Sequence, residues 1–261
     1  MKYVAVTFDD GRSDNLITAF PIMEKNGQKG TVYVTTGFLD GTWQGAQILQ
    51  SPTKPLTAQQ VCKLAEAGWE IGLHGDKHET ELADCRVAYE KLSAILGKEA
   101  AYGMSVPNSR VEEGVLKQMW EQLHPRKLSY VRRGRRTSTA GLKPKILYGL
   151  YTFLRSQWAY NAFNKENLFR PGEDAPVAIP SVVVKNNDSA RMILNFISQI
   201  PDGSGVVLML HSILPDDRCR ELSNPWVWSE GEFSRLCAGL RQMQKSGAVT
   251  VKTVEAMVSA G

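Results

Sequence analysis

The chain has 261 residues, of which 43% are hydrophobic and 22% are charged, and its formal net charge is +4. This composition is typical of a globular protein with a sizeable core, and the charge is too small to predict a nucleic-acid partner. The four cysteines form no CxxC pair, so we expect free thiols and no disulfide framework.

Short apolar runs alternate with amphipathic patterns of helical period, which favours repeated βα units around a largely parallel sheet. We predict strands at residues 3–8, 31–35, 69–73, 101–104, 128–131, 177–184, 206–210 and 249–251. About eight such units indicate an α/β barrel or a doubly wound sheet, and both folds collect catalytic groups at the carboxyl ends of their strands.

Three of the intervening helices have recognisable ends, because capping residues precede them or a glycine follows them. These helices lie between Thr57 and Gly68, over residues 79–96, and between Ser229 and Gly247. Their apolar stripes have the spacing of a core-facing helix, so we assign them to packing.

The irregular part of the chain is residues 126–176, which are basic at first and then rich in aromatic residues. We predict one domain over residues 1–261 with this segment as an insertion. Within it, residues 143–163 have two interpretations. The favoured one is packing on the domain, because the aromatic residues are not confined to one helical face, and the other is contact with a membrane surface.

The start of the chain has no apolar leader, and no run approaches the ~18 apolar residues of a membrane span. We therefore expect a cytoplasmic protein. A truncated secreted or envelope protein is the alternative.

Five reactive side chains directly follow predicted strands: Asp9, Asp10, His74, His78 and His211. Singly, Asp-Asp-Gly is typical of a turn, and two histidines at a four-residue spacing are usually unrelated to a site. Because all five follow strands whose carboxyl ends would meet at one edge, their joint occurrence favours a shared site.

Two histidines and one carboxylate match the three protein ligands of a catalytic metal ion that keeps an open position. His74 and His78 can converge if the chain between them makes one turn, and Gly75 allows that bend. Asp10 is the candidate third ligand, which leaves Asp9 free as a general base. We predict one divalent ion, with zinc as the first choice and cobalt, nickel, manganese or iron as alternatives.

The order of these motifs resembles that of the polysaccharide deacetylases, the NodB-like carbohydrate esterases of family four. TFDDG lies at residues 7–11, H-x-x-x-H at residues 74–78, and an apolar strand ends in histidine at residues 208–211. The resemblance implies a distorted (β/α)7-type barrel. It also implies a hydrolase that removes N-acetyl groups from a carbohydrate substrate, an amino-sugar glycan or its precursor.

The resemblance also implies roles for single residues. Asp9 would be the catalytic base and His211 the general acid. Asp10, His74 and His78 would be the metal ligands.

The third motif of the family is poorly kept, and two substrate contacts depend on it. Its best match contains Pro107 and Asn108 but lacks an arginine, and the Asn108 backbone N–H would help to bind the oxyanion. Arg132 or Arg133 is the candidate replacement for the missing charge, which normally orients the base. Gly75 also replaces a hydroxyl residue that normally steadies the second motif.

Trp226 and Trp228 follow the last motif by a short loop, and such rings stack on sugars or fill cores. We name both as candidate sugar contacts and keep core packing as the alternative.

Two other functions remain open at this point. The first is hydrolysis of another C–N bond, in a formamide or a cyclic ureide, on the same fold. The second is a non-catalytic glycan-binding domain, which would have no need of a free carboxylate beside an ion. A nucleic-acid binder that uses the basic residues 132–136 is disfavoured, because no recognisable binding module is present.

Overall fold

A computed structural model describes residues 1–45, 53–109, 111–135, 141–222 and 224–259. Its strands are β1 Lys2–Phe8, β2 Thr31–Val34, β3 Glu70–Leu73, β4 Tyr102–Ser105, β5 Leu128–Arg132, β6 Val182–Val183, β7 Gly205–Leu210, β8 Ser212–Leu214, β9 Val227–Ser229 and β10 Val249–Val251. Its helices are α1 Phe20–Lys25, α2 Thr36–Asp40, α3 Ala58–Glu66, α4 Leu82–Leu96, α5 Glu113–Leu123, α6 Leu142–Leu154, α7 Gln157–Asn164, α8 Ala190–Gln199, α9 Asp216–Leu222, α10 Glu230–Lys245 and α11 Val254–Val258.

The main sheet is parallel and has the strand order β5-β4-β3-β2-β1-β7-β6. β10 joins it by pairing with the first half of β1, and β8 and β9 form a separate parallel pair. Helices connect most successive strands, as parallel pairing requires. The predicted α/β architecture is therefore confirmed.

The sheet curls until its two edge strands are linked by one segment of backbone. The Ile179 N–H donates to Val131 O (2.9 Å) and the Arg133 N–H donates to Ile179 O (2.8 Å), which attaches this segment to β5. Val182 and Val183 then pair with β7. The strand predicted at 177–184 is thus divided between the two edges, and the result is the distorted barrel that the family resemblance implies.

The predicted ends of α3 and α10 agree with the structure, whereas the helix predicted over residues 79–96 begins only at Leu82. At the start of α3 the Gln60 N–H donates to the Thr57 hydroxyl (3.3 Å), and the Thr57 N–H donates to the Gln60 side chain (2.9 Å). The Ser229 hydroxyl caps α10 in the same way. These bonds satisfy N–H groups that have no partner inside a helix.

Two tyrosines fill the middle of the barrel. The Tyr33 and Tyr130 hydroxyls are 2.6 Å apart, both side chains are buried, and the Tyr130 hydroxyl also contacts the Glu70 carboxylate. Glycines on the neighbouring strands make room for these rings, because a Cβ at Gly72 would overlap Tyr33 and one at Gly103 would overlap Tyr130. The interior is thus a packed core below the mouth of the barrel.

The segment predicted as an insertion begins inside this sheet, because it supplies β5. It continues with α6 and α7, which pack against each other and, through α7, against α8. Among the described residues, no helix is long and apolar enough to cross a membrane.

We expect Gly103→Ala to lower the free energy of unfolding by about 1–3 kcal/mol, because the new methyl group must displace the buried Tyr130 ring. Gly114→Ala is the matched control. Its Cβ meets no atom within 4 Å, and alanine favours a helix, so stability should be equal or slightly higher. Urea unfolding of the three proteins measures both effects. Equal destabilisation by the two substitutions would contradict this account of the barrel interior.

Candidate functional site

The loop after β1 places two adjacent carboxylates at the mouth of the barrel. The Asp9 N–H donates to Leu210 O (3.0 Å), which prolongs the β1–β7 ladder by one residue. Asp10 (φ 78°) and Gly11 (φ 74°) then adopt left-handed conformations, which turn the chain sharply. Such a conformation costs a non-glycine residue about 1–3 kcal/mol, so the surrounding structure must hold Asp10 in place. Both aspartates are buried.

The loop after β3 brings the two histidines back to the same mouth. Gly75 (φ 76°) provides the bend that the sequence predicts, and His78 itself is left-handed (φ 58°). The rings of His74 and His78 have centroids 4.8 Å apart and lie nearly perpendicular to each other. The Trp43 ring stacks on the outer face of His78, with centroids 5.9 Å apart.

One buried carboxylate holds this histidine loop together. Asp84, in the first turn of α4, accepts the backbone N–H groups of Asp76 and Lys77 (both 2.8 Å) and more weakly that of Glu79 (3.4 Å). Asp84 therefore steadies the loop, which is the role that the family resemblance implies for a hydroxyl residue at position 75. A Cβ at Gly75 would overlap Asp84 Oδ2, so the glycine and the aspartate fit each other.

The nitrogen atoms of both histidines face one oxygen of Asp10. Asp10 Oδ1 lies 3.5 Å from His74 Nε2 and 3.7 Å from His78 Nε2, and the candidate ligand atoms of the three residues all lie within 4.8 Å of one another. The His74 ring also contacts Ser105 O through Nδ1 (2.8 Å). Because a carbonyl only accepts, Nδ1 carries the proton and the Nε2 lone pair is left for a ligand.

The surroundings of Asp10 Oδ1 indicate whether a metal ion fits this cluster. Asp10 Oδ1 is buried and accepts no hydrogen bond from the described residues. A buried carboxylate oxygen without a partner is costly, whereas a cation bound by it and by two imidazoles would satisfy all three groups. The donor set therefore fits a divalent ion such as zinc.

Arg12 fixes the other oxygen of Asp10. Its Nε and Nη2 atoms donate to Asp10 Oδ2 at 3.1 and 3.0 Å, and its side chain is fully buried. This fork leaves Oδ1 pointing at the histidines. The sequence analysis did not identify Arg12, although its position directly after the Asp-Asp-Gly turn is the signal that was available.

The buried charges of the cluster shift the pKa values of its members in different directions. Burial alone would lower the pKa of His74, but Asp10 and Asp9 more than reverse this and raise it. Burial alone would raise the pKa of Asp10, but His74, His211 and Arg12 more than reverse this and hold that pKa far below its usual range. Burial, reinforced by the nearby His74, lowers the pKa of His78 to about 4. His78 is therefore neutral at pH 7, with a lone pair for a cation.

Asp9 is held by a different arginine. Arg132 Nη2 lies 2.6 Å from each Asp9 oxygen, and Nη1 donates to the Ser181 hydroxyl (3.1 Å). The Ser105 hydroxyl contacts both Asp9 Oδ2 (3.3 Å) and Arg132. Arg132 is buried at the end of β5, so the structure brings it to the predicted base. The sequence analysis missed both serines.

Arg133 does not take part in this arrangement. Its guanidinium pairs with Glu113 (3.0 Å), whose side chain is 78% exposed. The alternative in which Arg133 orients the base is therefore wrong, because successive residues of a strand point to opposite faces. Arg136, from the same basic run, lies outside the described residues.

His211 follows β7 and packs on Trp226, with ring centroids 4.8 Å apart. The Asn15 side chain holds its carbonyl oxygen (3.1 Å), and Asp14 holds the next strand through the Ile213 N–H (2.8 Å). Burial lowers the pKa of His211. His211 Nδ1 is buried and has no hydrogen-bond partner among the described residues.

The two tryptophans have different positions. Trp226 is partly exposed and lies beside His211, so its ring is accessible from the mouth. Trp228 is only 2% exposed, donates through Nε1 to Asp188 O (2.8 Å) and packs edge-on against Phe233. The predicted sugar contact of Trp228 is therefore wrong, and its core-packing alternative is correct.

The third motif forms a short 3-10 turn, Pro107–Ser109. Pro107 is buried, whereas Asn108 is exposed and left-handed (φ 55°). The Ser109 hydroxyl is 3.7 Å from Met209 Sδ, two residues before His211, so this turn lies at the same end of the barrel. The contribution of Asn108 to an oxyanion site stays a prediction.

Comparison with known families adds independent evidence. The family model described as polysaccharide deacetylase matches residues 1–122. That range contains Asp9, Asp10, His74 and His78, and His211 lies beyond it. A comparison with curated protein sequences gives no significant match.

Three solved structures are similar to this chain in fold. One is the Xyl-CE4 domain of a multidomain xylanase from the hindgut metagenome of Trinervitermes trinervoides, at 13% identity and TM-score 0.52, with 99% of this chain and 90% of that chain covered. The second is the Bc1960 peptidoglycan N-acetylglucosamine deacetylase, at 16% identity and TM-score 0.54, with coverage of 99% and 89%. The third is a family 4 carbohydrate esterase from Streptomyces lividans, at 12% identity and TM-score 0.50, with coverage of 95% and 91%. In sequence over residues 1–122 and in fold over nearly all its length, the chain thus shows the resemblance to the polysaccharide deacetylases that its motifs predict.

Proposed function

We propose that this chain is a metal-dependent hydrolase that removes N-acetyl groups from an amino-sugar glycan or glycan precursor. The observation that carries the proposal is a cluster of three ligand atoms, from Asp10, His74 and His78, beside a carboxylate that an arginine holds instead. Two proteins of similar fold, a peptidoglycan N-acetylglucosamine deacetylase and a family 4 carbohydrate esterase, support the substrate class.

A divalent ion bound by Asp10, His74 and His78 would lower the pKa of a water molecule and polarise the acetyl carbonyl group. Zinc is the proposed ion, because imidazole nitrogen and carboxylate oxygen are ligands that it commonly takes. Cobalt, nickel, manganese and iron accept the same donor set and remain alternatives.

Asp9 accepts the proton of the attacking water in this mechanism. Its carboxylate is fixed by Arg132 and Ser105, so it cannot turn towards the metal ligands. The arginine takes the position of a group that orients a base, because it contacts both oxygens of the Asp9 carboxylate. The Asn108 backbone N–H is the proposed donor to the oxyanion.

His211 donates a proton to the departing amine nitrogen. Packing on Trp226 orients its ring, and the bond from Asn15 fixes its backbone. Because burial lowers its pKa, the protonated form is a stronger acid than an exposed imidazolium. The exposed part of the Trp226 ring offers a surface on which a sugar can stack.

A second candidate is hydrolysis of a different amide, such as a formamide or a cyclic ureide. It is favoured by one observation, that the charge beside the base comes from β5 and not from the third motif. The residues of β4 and β5 beside Asp9 would therefore differ from the family pattern, and with them the side of the substrate pocket that they form. Formate release without acetate release from a panel of substrates would favour this candidate.

We expect purified protein to bind one zinc ion per chain and His74→Ala to lose it, because two ligands cannot hold the ion tightly. His124→Ala is the matched control, since His124 stacks on Trp120 and belongs to no ligand cluster among the described residues. Elemental analysis after dialysis measures the stoichiometry. Retention of a full equivalent of zinc by His74→Ala would refute the ligand assignment.

We expect Asp9→Asn to lower acetate release from N-acetylated oligosaccharides by about 10²- to 10⁴-fold, the usual contribution of a general base. Because Asp9 is not a ligand, the same variant should keep its metal ion. Parallel assays of acetate and of bound zinc separate the two effects. Full turnover by Asp9→Asn would show that the base is another residue.

We expect Arg132→Lys to lower kcat by about 10- to 100-fold with a smaller change in KM, because lysine cannot bridge Asp9 and Ser181 together. Arg133→Lys should leave both constants unchanged. Melting curves of the two variants test whether each is folded. Equal kcat values for both would remove the positioning role of Arg132.

A further inference from the structure

The helical hairpin α6–α7 has an apolar surface that nothing in the described chain covers. One face packs into the core through Leu147, Tyr151, Tyr160 and Phe163. The opposite face exposes large apolar side chains: Leu142 (77%), Ile146 (52%), Phe153 (86%), Leu154 (70%) and Trp158 (68%). Of the nine large hydrophobic residues that are exposed in the described chain, five lie on this hairpin. The packing interpretation for residues 143–163 thus accounts for only one of its two faces.

The exposed residues are arranged as a stripe. Leu142, Ile146 and Phe153 follow one another at spacings of four and seven residues, which places them on one side of α6. Leu154 lies at the end of α6 and Trp158 near the start of α7, so the apolar surface continues around the turn of the hairpin.

Most of the charged residues near this stripe in sequence are basic. Residues 122–165 contain ten lysines and arginines and no aspartate or glutamate. Lys143, Lys145, Arg155 and Lys165 are all exposed on the hairpin. The neighbouring α8 has no acidic residue. Glu166 follows Lys165 and the buried Asp188 lies near Arg155, but basic residues predominate in this rim around the stripe.

We propose that the α6–α7 hairpin binds the surface of an anionic lipid bilayer. Its apolar side chains enter the boundary between headgroups and acyl chains, and its basic side chains contact the lipid phosphates. Charge decides between this occupant and a second copy of the chain, because an isologous dimer would bring two basic rims together. An anionic bilayer matches both the apolar stripe and the charge around it.

The hairpin is also close to the candidate catalytic residues. Lys185 Nζ lies 5.6 Å from the centroid of the Tyr148 ring in α6 and 5.2 Å from that of Trp226, which packs on His211. A bilayer bound at the hairpin would therefore hold the mouth of the barrel near the membrane surface.

Co-sedimentation with vesicles tests the proposal. We expect the protein to bind vesicles of phosphatidylcholine mixed with phosphatidylglycerol, not vesicles of phosphatidylcholine alone, and to be released by high salt. The double variant Phe153→Ser/Trp158→Ser should bind at least about tenfold more weakly, because both side chains lose their apolar contact. Ile17→Ser/Val87→Ser removes exposed apolar side chains elsewhere and should bind like the parent.

A separate variant tests the contribution of the basic residues around the stripe. Lys143→Gln/Lys145→Gln should weaken binding by about fivefold for each lysine removed, whereas Lys117→Gln on α5 should have no effect. Acetate release from a soluble substrate should be unchanged in all these variants, so the result is independent of the proposed activity.

Three outcomes would overturn the proposal. The parent protein fails to bind anionic vesicles, or the Phe153→Ser/Trp158→Ser variant binds them equally well. The third outcome is that light scattering detects a dimer of the parent protein and a monomer of the same double variant. That result would assign the stripe to a second copy of the chain.

Discussion

Two buried ion pairs give two neighbouring carboxylates different partners, and the candidate site depends on this division. Arg12 binds one oxygen of Asp10, and Arg132 binds both oxygens of Asp9. Two buried carboxylates side by side would otherwise share a proton, because their mutual repulsion and the loss of water both oppose ionisation. Each has its own guanidinium, and that of Arg12 helps to hold the pKa of Asp10 far below its usual range. Asp10 keeps an oxygen directed at the two histidines, and Asp9 remains apart from them.

The barrel explains why residues so far apart in sequence meet. On β1, β2, β3, β5 and β7, alternate residues face the interior, and the last of them reach the mouth. Tyr33 and Tyr130 fill the middle layer of the barrel. The polar side chains at the mouth therefore lie directly above a packed and buried layer. Burial of this kind makes each electrostatic interaction at the mouth stronger than it would be in water.

Much of this arrangement could be predicted from sequence. The strand ends that carry Asp9, Asp10, His74, His78 and His211 are marked by local patterns, and a parallel sheet brings such ends to one edge. The helix boundaries at Thr57 and Ser229 were also predictable, because capping is a local interaction. The division of residues 177–184 between two edges was not, since each half is an apolar run and only the curl of the sheet separates them.

The residues that the sequence analysis missed act through tertiary contacts. Asp84 and Ser105 have no motif of their own, and each is recognisable only from what it touches. Arg12 has one sequence signal, its position directly after the Asp-Asp-Gly turn, but its bond to Asp10 shows its role. To choose between Arg132 and Arg133, one must know which residues of β5 point into the barrel. Tyr130 points inward, so Arg132, two residues later, does so too, whereas Arg133 pairs with Glu113 outside. Trp226 and Trp228 are both tryptophans and lie only two positions apart in the sequence. Only the packing of β9 against Phe233 shows which of them is buried.

The pairing of Gly75 with Asp84 constrains how this histidine loop can vary. In the family pattern a hydroxyl residue follows the first histidine, and here a carboxylate from the next helix occupies the volume its Cβ would need. A side chain at position 75 would displace the Asp84 carboxylate from the place where it holds the loop. A change at position 75 alone therefore crowds the loop, and a change at position 84 alone leaves the N–H groups of the loop without their acceptor.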